Sequence, residues 1–477
     1  MLLAPALPGA ASTRVPQSPE VLAPGAPTSG RRPEIDALRG LMLVLMVCTH
    51  LPTRFALPLG QPFGFVSAAE GFVLLSAYMA AMVYTRRALA DGLTAMRRAF
   101  FRRALVIYAC QSALLVFLFT VVALIGLAKD EPAVENLIGF FLRAPWSASA
   151  AGLALLYRPP LLDILPIYVL FMLASPFVLD AALRRGWAVV VGASLALWFA
   201  AQFGLGAMVY DFADRAFGMP LPYAAMGSFD TLAWQFVWVL GLWLGAASVT
   251  PGPDPLPPLP RWLVGSAVAA ALVGLVWRHA VGQSPFGADA TLNLLFDKWQ
   301  LGPLRLIDLL ALLVVVVRFG PRWARRLPRL RVLETLGQAS LSVFCAHLVL
   351  VLALLALLGA PSPRRPIWLD ALVFAGSFVL LYAVALAVQA IAKRAARGGG
   401  VIRATARRSL AATAGSRQRS CADGPVRTAP TAAGRRCRAS PSKHRRIRRP
   451  RASRRGSRSA GWLRRSGAAV PRDSGSA

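Results

Sequence analysis

Charge is scarce in this chain. Asp, Glu, Lys and Arg make up 16% of its 477 residues, against 56% apolar residues. A soluble protein of this length could not cover its surface with so few charges, so the soluble classes are excluded and a polytopic membrane protein is left. Cysteine is sparse too: Cys48, Cys110, Cys345, Cys421 and Cys437 are scattered. They have neither paired metal-ligand spacing nor a disulfide framework, so no metal site is expected, and cysteine says little about compartment. The opening stretch, MLLAPALPGAASTRVPQSPEVLAPGAPTSG, lacks a basic n-region, and prolines interrupt its apolar run. That pattern predicts a disordered extension over residues 1–30 rather than a cleaved signal peptide, with the first apolar helix acting as an uncleaved signal. Internal repeats are missing as well, as is an inverted pair of interrupted spans.

Basic residues are the exception to this scarcity, and they are unevenly placed. The net charge of +32 would suggest nucleic acid if taken whole, yet residues 401–477 hold 21 Arg and Lys against 2 acids. That stretch of Arg, Ala, Ser and Pro has no hydrophobic period and cannot form a core, so a disordered tail is expected over 396–477. It reads either as an anionic-lipid or nucleic-acid tether or as low-complexity sequence without a role. No nucleic-acid partner is expected for the folded domain, which is placed at 31–395.

A membrane span needs about 20 mostly apolar residues. Ten segments qualify: 35–51, 65–85, 104–128, 161–179, 187–208, 232–249, 262–277, 304–317, 336–358 and 367–392. Between them, RR at 31, RR at 86, RRAFFRR at 97, RR at 184, Arg261 and RFGPRWARRLPRLR at 318 fall on one side. KDEPAVE, DFADR and FDKWQ fall on the other, and RR at 364 is an exception. The positive-inside rule then predicts an all-α polytopic membrane protein of about ten transmembrane helices with both termini cytoplasmic.

The first span, EIDALRGLMLVLMVCTH, carries Arg39 at one end and His50 at the other. Eleven helical positions place them about 16 Å apart along the axis and on the same face. Taken singly, Arg39 reads as a snorkelling interfacial cation and His50 as a helix-end histidine. The second span, FGFVSAAEGFVLLSAYM, adds Glu70 at a depth similar to His50. A carboxylate there is costly without a partner, so a His50–Glu70 pair is expected, the acid fixing the imidazole tautomer. The alternative is a hydrogen bond from Glu70 to another helix. Ser67, Ala68, Ala69 and Gly71 are small, as close helix packing requires. Asp163, Asp230 with Trp234, and Lys298, Arg305 and Asp308 fall in the same outer zone. Singly they read as interfacial anchors; together they describe a polar cavity rimmed by aromatics, suited to sugar hydroxyls. His347, mid-span in SLSVFCAHLVL, ranks below His50, as a packing histidine.

These residues match a known pattern. RRPEIDALRGLMLVLMVCTH and QPFGFVSAAEGFVLLSAYM closely resemble the OpgC family of bacterial inner-membrane proteins. That family is related to the membrane acyltransferase-3 group, whose signature is an arginine, ten residues and a histidine. LLDILPIYVLFM, LAWQFVWVLGLWLG, LGPLRLIDLLAL and LGQASLSVFCAHLVL resemble later blocks in the same order, so the likeness covers roughly residues 31–393. One departure is Ala77, where glycine is expected. The resemblance implies a multi-pass inner-membrane enzyme that places succinyl groups on periplasmic glucans. Its co-substrate would be cytoplasmic acyl-CoA, with succinyl-CoA as donor and no permanently bound cofactor. His50 and Glu70 would be catalytic. Arg39, Arg97, Arg98, Arg102 and Arg103 would meet the CoA phosphates, and Asp163, Trp234, Lys298 and Arg305 the acceptor. The bilayer, the glucan and acyl-CoA are the expected partners, and a homo-oligomer is allowed. A transporter using the same His, Glu and Arg is the competing class, and a non-catalytic glucan-binding protein a third.

Overall fold

The computed structural model describes residues 32–56, 61–250 and 259–420, with side chains to residue 395. The chain divides into two units, Met1–Arg403 and Ala404–Ala477. The first contains every predicted span. The predicted extension over 1–30 and residues 421–477 of the predicted tail lie outside the described residues.

Every one of the ten predicted segments is helical, and no strand occurs among the described residues. Helix α1, Pro33–His50, starts with proline at its first turn and Glu34 and Asp36 beside it, which suits the missing N–H and the helix dipole. It stops at Leu51, which is extended ahead of Pro52. Helix α2, Ala68–Asp91, opens with a capping box: Ser67 accepts from the backbone of the first turn, and Glu70 accepts from the Ser67 N–H. Helix α3, Leu93–Phe117, runs through a π turn at Leu118–Val122 into α4, Ala123–Ala128.

Two short helices, α5 (Pro132–Arg143) and α6 (Pro145–Leu153), precede α7, Ile164–Arg185. Helices α8, Trp187–Gln202, and α9, Leu205–Phe217, are bent by 76° at Gly204, whose φ of +80° is easy only for glycine. Helix α10, Thr231–Ala247, is N-capped by Asp230. It is followed by α11 (Arg261–Val281), the short α12 (Ala290–Asn293) and α13 (Pro303–Arg326). The last three are α14 (Arg331–Gln338), α15 (Ser340–Leu358) and α16 (Ile367–Ser420).

Among the described residues, seven helices are long and apolar enough to cross a membrane: α2, the continuous Leu93–Ala128, α7, the run ending in α10, α11, α15 and α16 over Ile367–Ala395. The bent α8–α9 pair would make an eighth. Among the ten predicted segments, those on α1 and α13 fall outside this set. Both are helical but rich in charge, with Glu34, Asp36 and Arg39 on α1 and Arg305, Asp308 and Arg318 on α13. Both helices outside the set carry candidate site residues, Arg39 and His50 on α1 and Arg305 on α13.

Glycine lets these charged helices approach their neighbours. A Cβ at Gly40 would overlap the Leu333 carbonyl, and one at Gly337 would overlap the Asp36 carbonyl, so α1 and α14 touch backbone to backbone. Gly241 and Gly245 of α10 lie likewise on the Leu74 and Tyr78 carbonyls of α2. The glycine expected at position 77 proves unnecessary. Ala77 is fully buried, and the space it needs is provided by Gly241 on the facing helix.

Candidate functional site

Helices α1 and α15 run in the same direction and meet twice. Near their starts, Arg39 Nη2 donates to Ser340 Oγ at 2.5 Å. Further along, His50 Nδ1 lies 3.1 Å from His347 Nε2, and the two rings stack with centroids 5.4 Å apart and planes 11° from parallel. His347 is fully buried, and its Nδ1 lies 2.7 Å from the Phe344 carbonyl oxygen.

A carbonyl only accepts, so His347 Nδ1 carries a proton. The neutral ring then has a bare Nε2, which can only accept. His50 Nδ1 must donate to it, and the free lone pair of His50 falls on Nε2. This chain of three groups fixes the tautomer, the task expected of Glu70.

Glu70 does something else, and the expected His50–Glu70 pair is not formed. Oε1 accepts from Arg305 Nε at 2.5 Å, and Oε2 accepts from the Ser67 N–H at 3.1 Å and from the Ser67 hydroxyl. Glu70 and Arg305 are both buried, an ion pair closed off from water. Arg305 also donates to the Phe296 carbonyl at 3.3 Å, and its Nη2 is buried without a partner. Depth alone gives the wrong pairing, because two residues at one level of a bundle can face different neighbours.

Beside this pair lies Lys298, in the loop before α13. Glu70, Asp163, Asp297, Arg305 and His50 all lie within its electrostatic reach. Its ammonium sits over the rings of Trp299 and Phe229, 4.6 and 5.6 Å from their centroids. Burial pulls Lys298 below the usual ammonium range, and Glu70 opposes the shift. Asp163, just before α7, is pushed up to about 6 by burial, against the pull of Lys298 and Arg158. Arg158 donates to Thr231 Oγ1 at 2.8 Å and to the Leu155 carbonyl at 3.1 Å. The starts of α2, α7, α10 and α13 thus gather at the end of the bundle where His50 lies.

Trp234 is buried, and its indole N–H is spent on the carbonyls of Lys298 and Trp299, at 3.3 and 3.0 Å. It holds the loop rather than facing an acceptor. The aromatic surface at this place is Trp299, 40% exposed and edge-on to Phe229. Sequence reasoning misses Trp299 and Arg158. The available signal is an arginine and a tryptophan in loops on the side poor in basic residues.

The expected donor-binding arginines do not converge. Arg103 joins Arg39, Tyr168 and Ser340 around a cleft of about 20 Å³, room for about one water. Arg97 is taken by Asp180 at 3.2 Å, and Arg98 and Arg102 are exposed. Arg365, from the exceptional RR at 364, is a structural staple. It pairs with Asp370 at 3.3 Å and donates to the carbonyls of Pro52, Leu358 and Ala360 at 2.5, 2.6 and 3.0 Å. Arg54 Nε also reaches Asp370, at 3.0 Å, so this cluster ties the loop after α1 to the start of α16.

The fold and the site together define an all-helical membrane protein in which a buried histidine and a half-buried one, His347 and His50, are set against a charge-balanced polar cluster. The chain belongs to the OpgC protein family, whose model matches residues 31–393. The match takes in Arg39, His50, Glu70, Lys298, Arg305 and His347. No curated protein and no solved structure matches the chain. Family membership points to a membrane-associated protein of glucan modification.

Proposed function

We propose that this protein is a multi-pass inner-membrane O-acyltransferase that moves a succinyl or similar acyl group from cytoplasmic acyl-CoA to a hydroxyl of a periplasmic glucan. The observation that carries the proposal is the His50–His347–Phe344 chain, which leaves a bare imidazole nitrogen beside the polar cluster. His50 Nε2 takes the proton of the glucosyl hydroxyl as its oxygen attacks the thioester carbonyl. The new C–O bond forms, the C–S bond breaks, and the proton passes from the imidazolium to the departing thiolate. Glu70 acts at one remove, by holding Arg305 in place next to Lys298.

Orientation supports the same reading. The basic loops lie at the ends of α2, α7 and α13 that are remote from His50, so the positive-inside rule puts them in the cytoplasm and the histidine pair toward the periplasm. Both termini are then cytoplasmic if all ten helical segments span. Arg39 and Arg103 lie on the donor side. Their cleft, about 20 Å³, is too small for the donor, so donor entry requires it to widen.

The break at Gly204 is the one feature that favours a transporter, since broken spans line many transport sites. The test separates the two readings. Membrane vesicles are given labelled succinyl-CoA and purified glucan, and ester-linked label is measured on the glucan. Transfer by the native protein and its loss in His50→Ala at equal expression is the expected result. Equal transfer in that variant ends the proposal, and solute uptake without transfer favours the transporter.

A further inference from the structure

Helix α11 packs against α13 but leaves most of its apolar surface uncovered. Between the two helices runs a groove of about 490 Å³ lined by apolar side chains, among them Leu272, Leu275, Leu312, Val315 and Phe319. From Leu312 to Trp323 the α13 wall is about 16 Å long. That is close to half of a ~30 Å hydrocarbon core, the depth of one leaflet. The groove is not part of the site described above.

Its far end is cationic. The Arg318 guanidinium sits over Phe319, a lining residue, 5.4 Å from the ring centroid. Arg322, Arg325 and Arg326 follow on the same helix, all exposed. Among the described residues none of these four arginines forms an ion pair. A leaflet-deep apolar slot that ends in unpaired guanidinium groups matches one chemistry: an acyl chain attached to an anionic headgroup.

We propose that this groove binds one anionic glycerophospholipid, with an acyl chain between α11 and α13 and the phosphate at Arg318 and Arg322. The lipid supplies the packing that α11 lacks on this face. A zwitterionic lipid can fill the slot, but it gains less from the arginines.

The test uses the full-length protein in nanodiscs of phosphatidylcholine titrated with phosphatidylglycerol, with bound lipid read by native mass spectrometry after gentle detergent release. One retained phosphatidylglycerol per chain is expected, in preference to phosphatidylcholine. In R318Q/R322Q that preference should fall by roughly fivefold for each arginine removed. Both side chains are exposed, so the variant keeps its fold. In L272W/V315W, which fills the slot, the retained lipid should disappear, whereas Leu272→Met should keep it. An unchanged preference in R318Q/R322Q overturns the proposal, as does a lipid retained in the filled variant. So does a native protein that holds no lipid and pairs with a second copy through α11. None of these readouts depends on acyl transfer, so the proposal stands or falls apart from the catalytic reading.

Discussion

If the histidine chain sets the base, His347→Phe should slow acyl transfer without touching either substrate site. The substitution keeps a ring of similar size between Phe344 and His50, so the stacking, with centroids 5.0 and 5.4 Å away, can persist. What it removes is the acceptor nitrogen. His50 Nδ1–H then points at an apolar ring, and an unsatisfied buried donor costs about 1–3 kcal/mol. The ring escapes this cost by moving its proton to Nε2 or by turning away, and either change takes the lone pair from the reacting hydroxyl. At 1.4 kcal/mol per tenfold, the productive form falls by roughly 5- to 150-fold. Transfer should drop by about that factor. His50→Ala removes general-base catalysis altogether, a loss of roughly 10²- to 10⁴-fold. The assay is initial-rate transfer of labelled succinyl from CoA to glucan in vesicles matched for protein. The fall should lie in kcat, with KM for glucan unchanged. His347→Gln, which can still accept from His50, should recover part of the rate. A native rate in His347→Phe alongside an inactive His50→Ala would refute the tautomer argument and leave the base in place.

The packing and the charges set three further outcomes. Arg305→Met strands Glu70 as a buried charge and should cost about 3–5 kcal/mol of stability, seen as a lower Tm in detergent. The double variant Glu70→Gln/Arg305→Met should regain most of that loss, and equal losses in single and double variants would contradict it. Gly337→Ala forces a methyl group into the Asp36 carbonyl and should cost about 1–3 kcal/mol by thermal shift, while Gly265→Ala, with open space around it, should be neutral. Asp163 titrates at about 6 when folded, above its ordinary 3.8, so its contribution to stability is present below about 4 and is lost as pH rises through 6. The Tm advantage of Asp163→Asn over the native protein should therefore grow from pH 5 to pH 8. A constant difference would show that burial does not hold the carboxyl protonated.

The helices are legible in the sequence because ionisable residues are rare in it and break its apolar runs at defined places. Arg39, His50, Glu70 and Arg305 stand out for the same reason, and the family model spans them all. Partners are harder to read. Depth matches Glu70 to His50, yet depth says nothing about which neighbour each side chain faces, and Glu70 turns to Ser67 and Arg305. His347 is easily passed over because a histidine in the apolar run SLSVFCAHLVL looks like packing. Its role depends on the direction of α15 relative to α1, which no local pattern encodes. Ala77 shows the converse case. A missing glycine in one helix is offset by Gly241 in another, and only the tertiary contact reveals it.

The buried cations near His50 sit among carboxylates, and this bears on what each end of the molecule can bind. At the end that holds His50, Arg54 and Arg365 are committed to Asp370, and Arg305 to Glu70. Arg158 lies by Asp163 and Asp230, and Lys298 lies among Glu70, Asp163 and Asp297. At Arg305 or Arg365 a new anion would have to displace a carboxylate from a buried partner, which costs several kcal/mol. At the opposite end, Arg98, Arg102, Arg318, Arg322, Arg325 and Arg326 form no ion pair among the described residues. This suits the acyl-CoA donor and the lipid headgroup proposed above, both of which are anionic. The balanced end suits a neutral polyol, which needs donors, acceptors and an aromatic face such as Trp299 but brings no charge to be neutralised. The proposed transfer, from a charged donor to an uncharged acceptor, fits this separation, because neither ligand competes for the other's site.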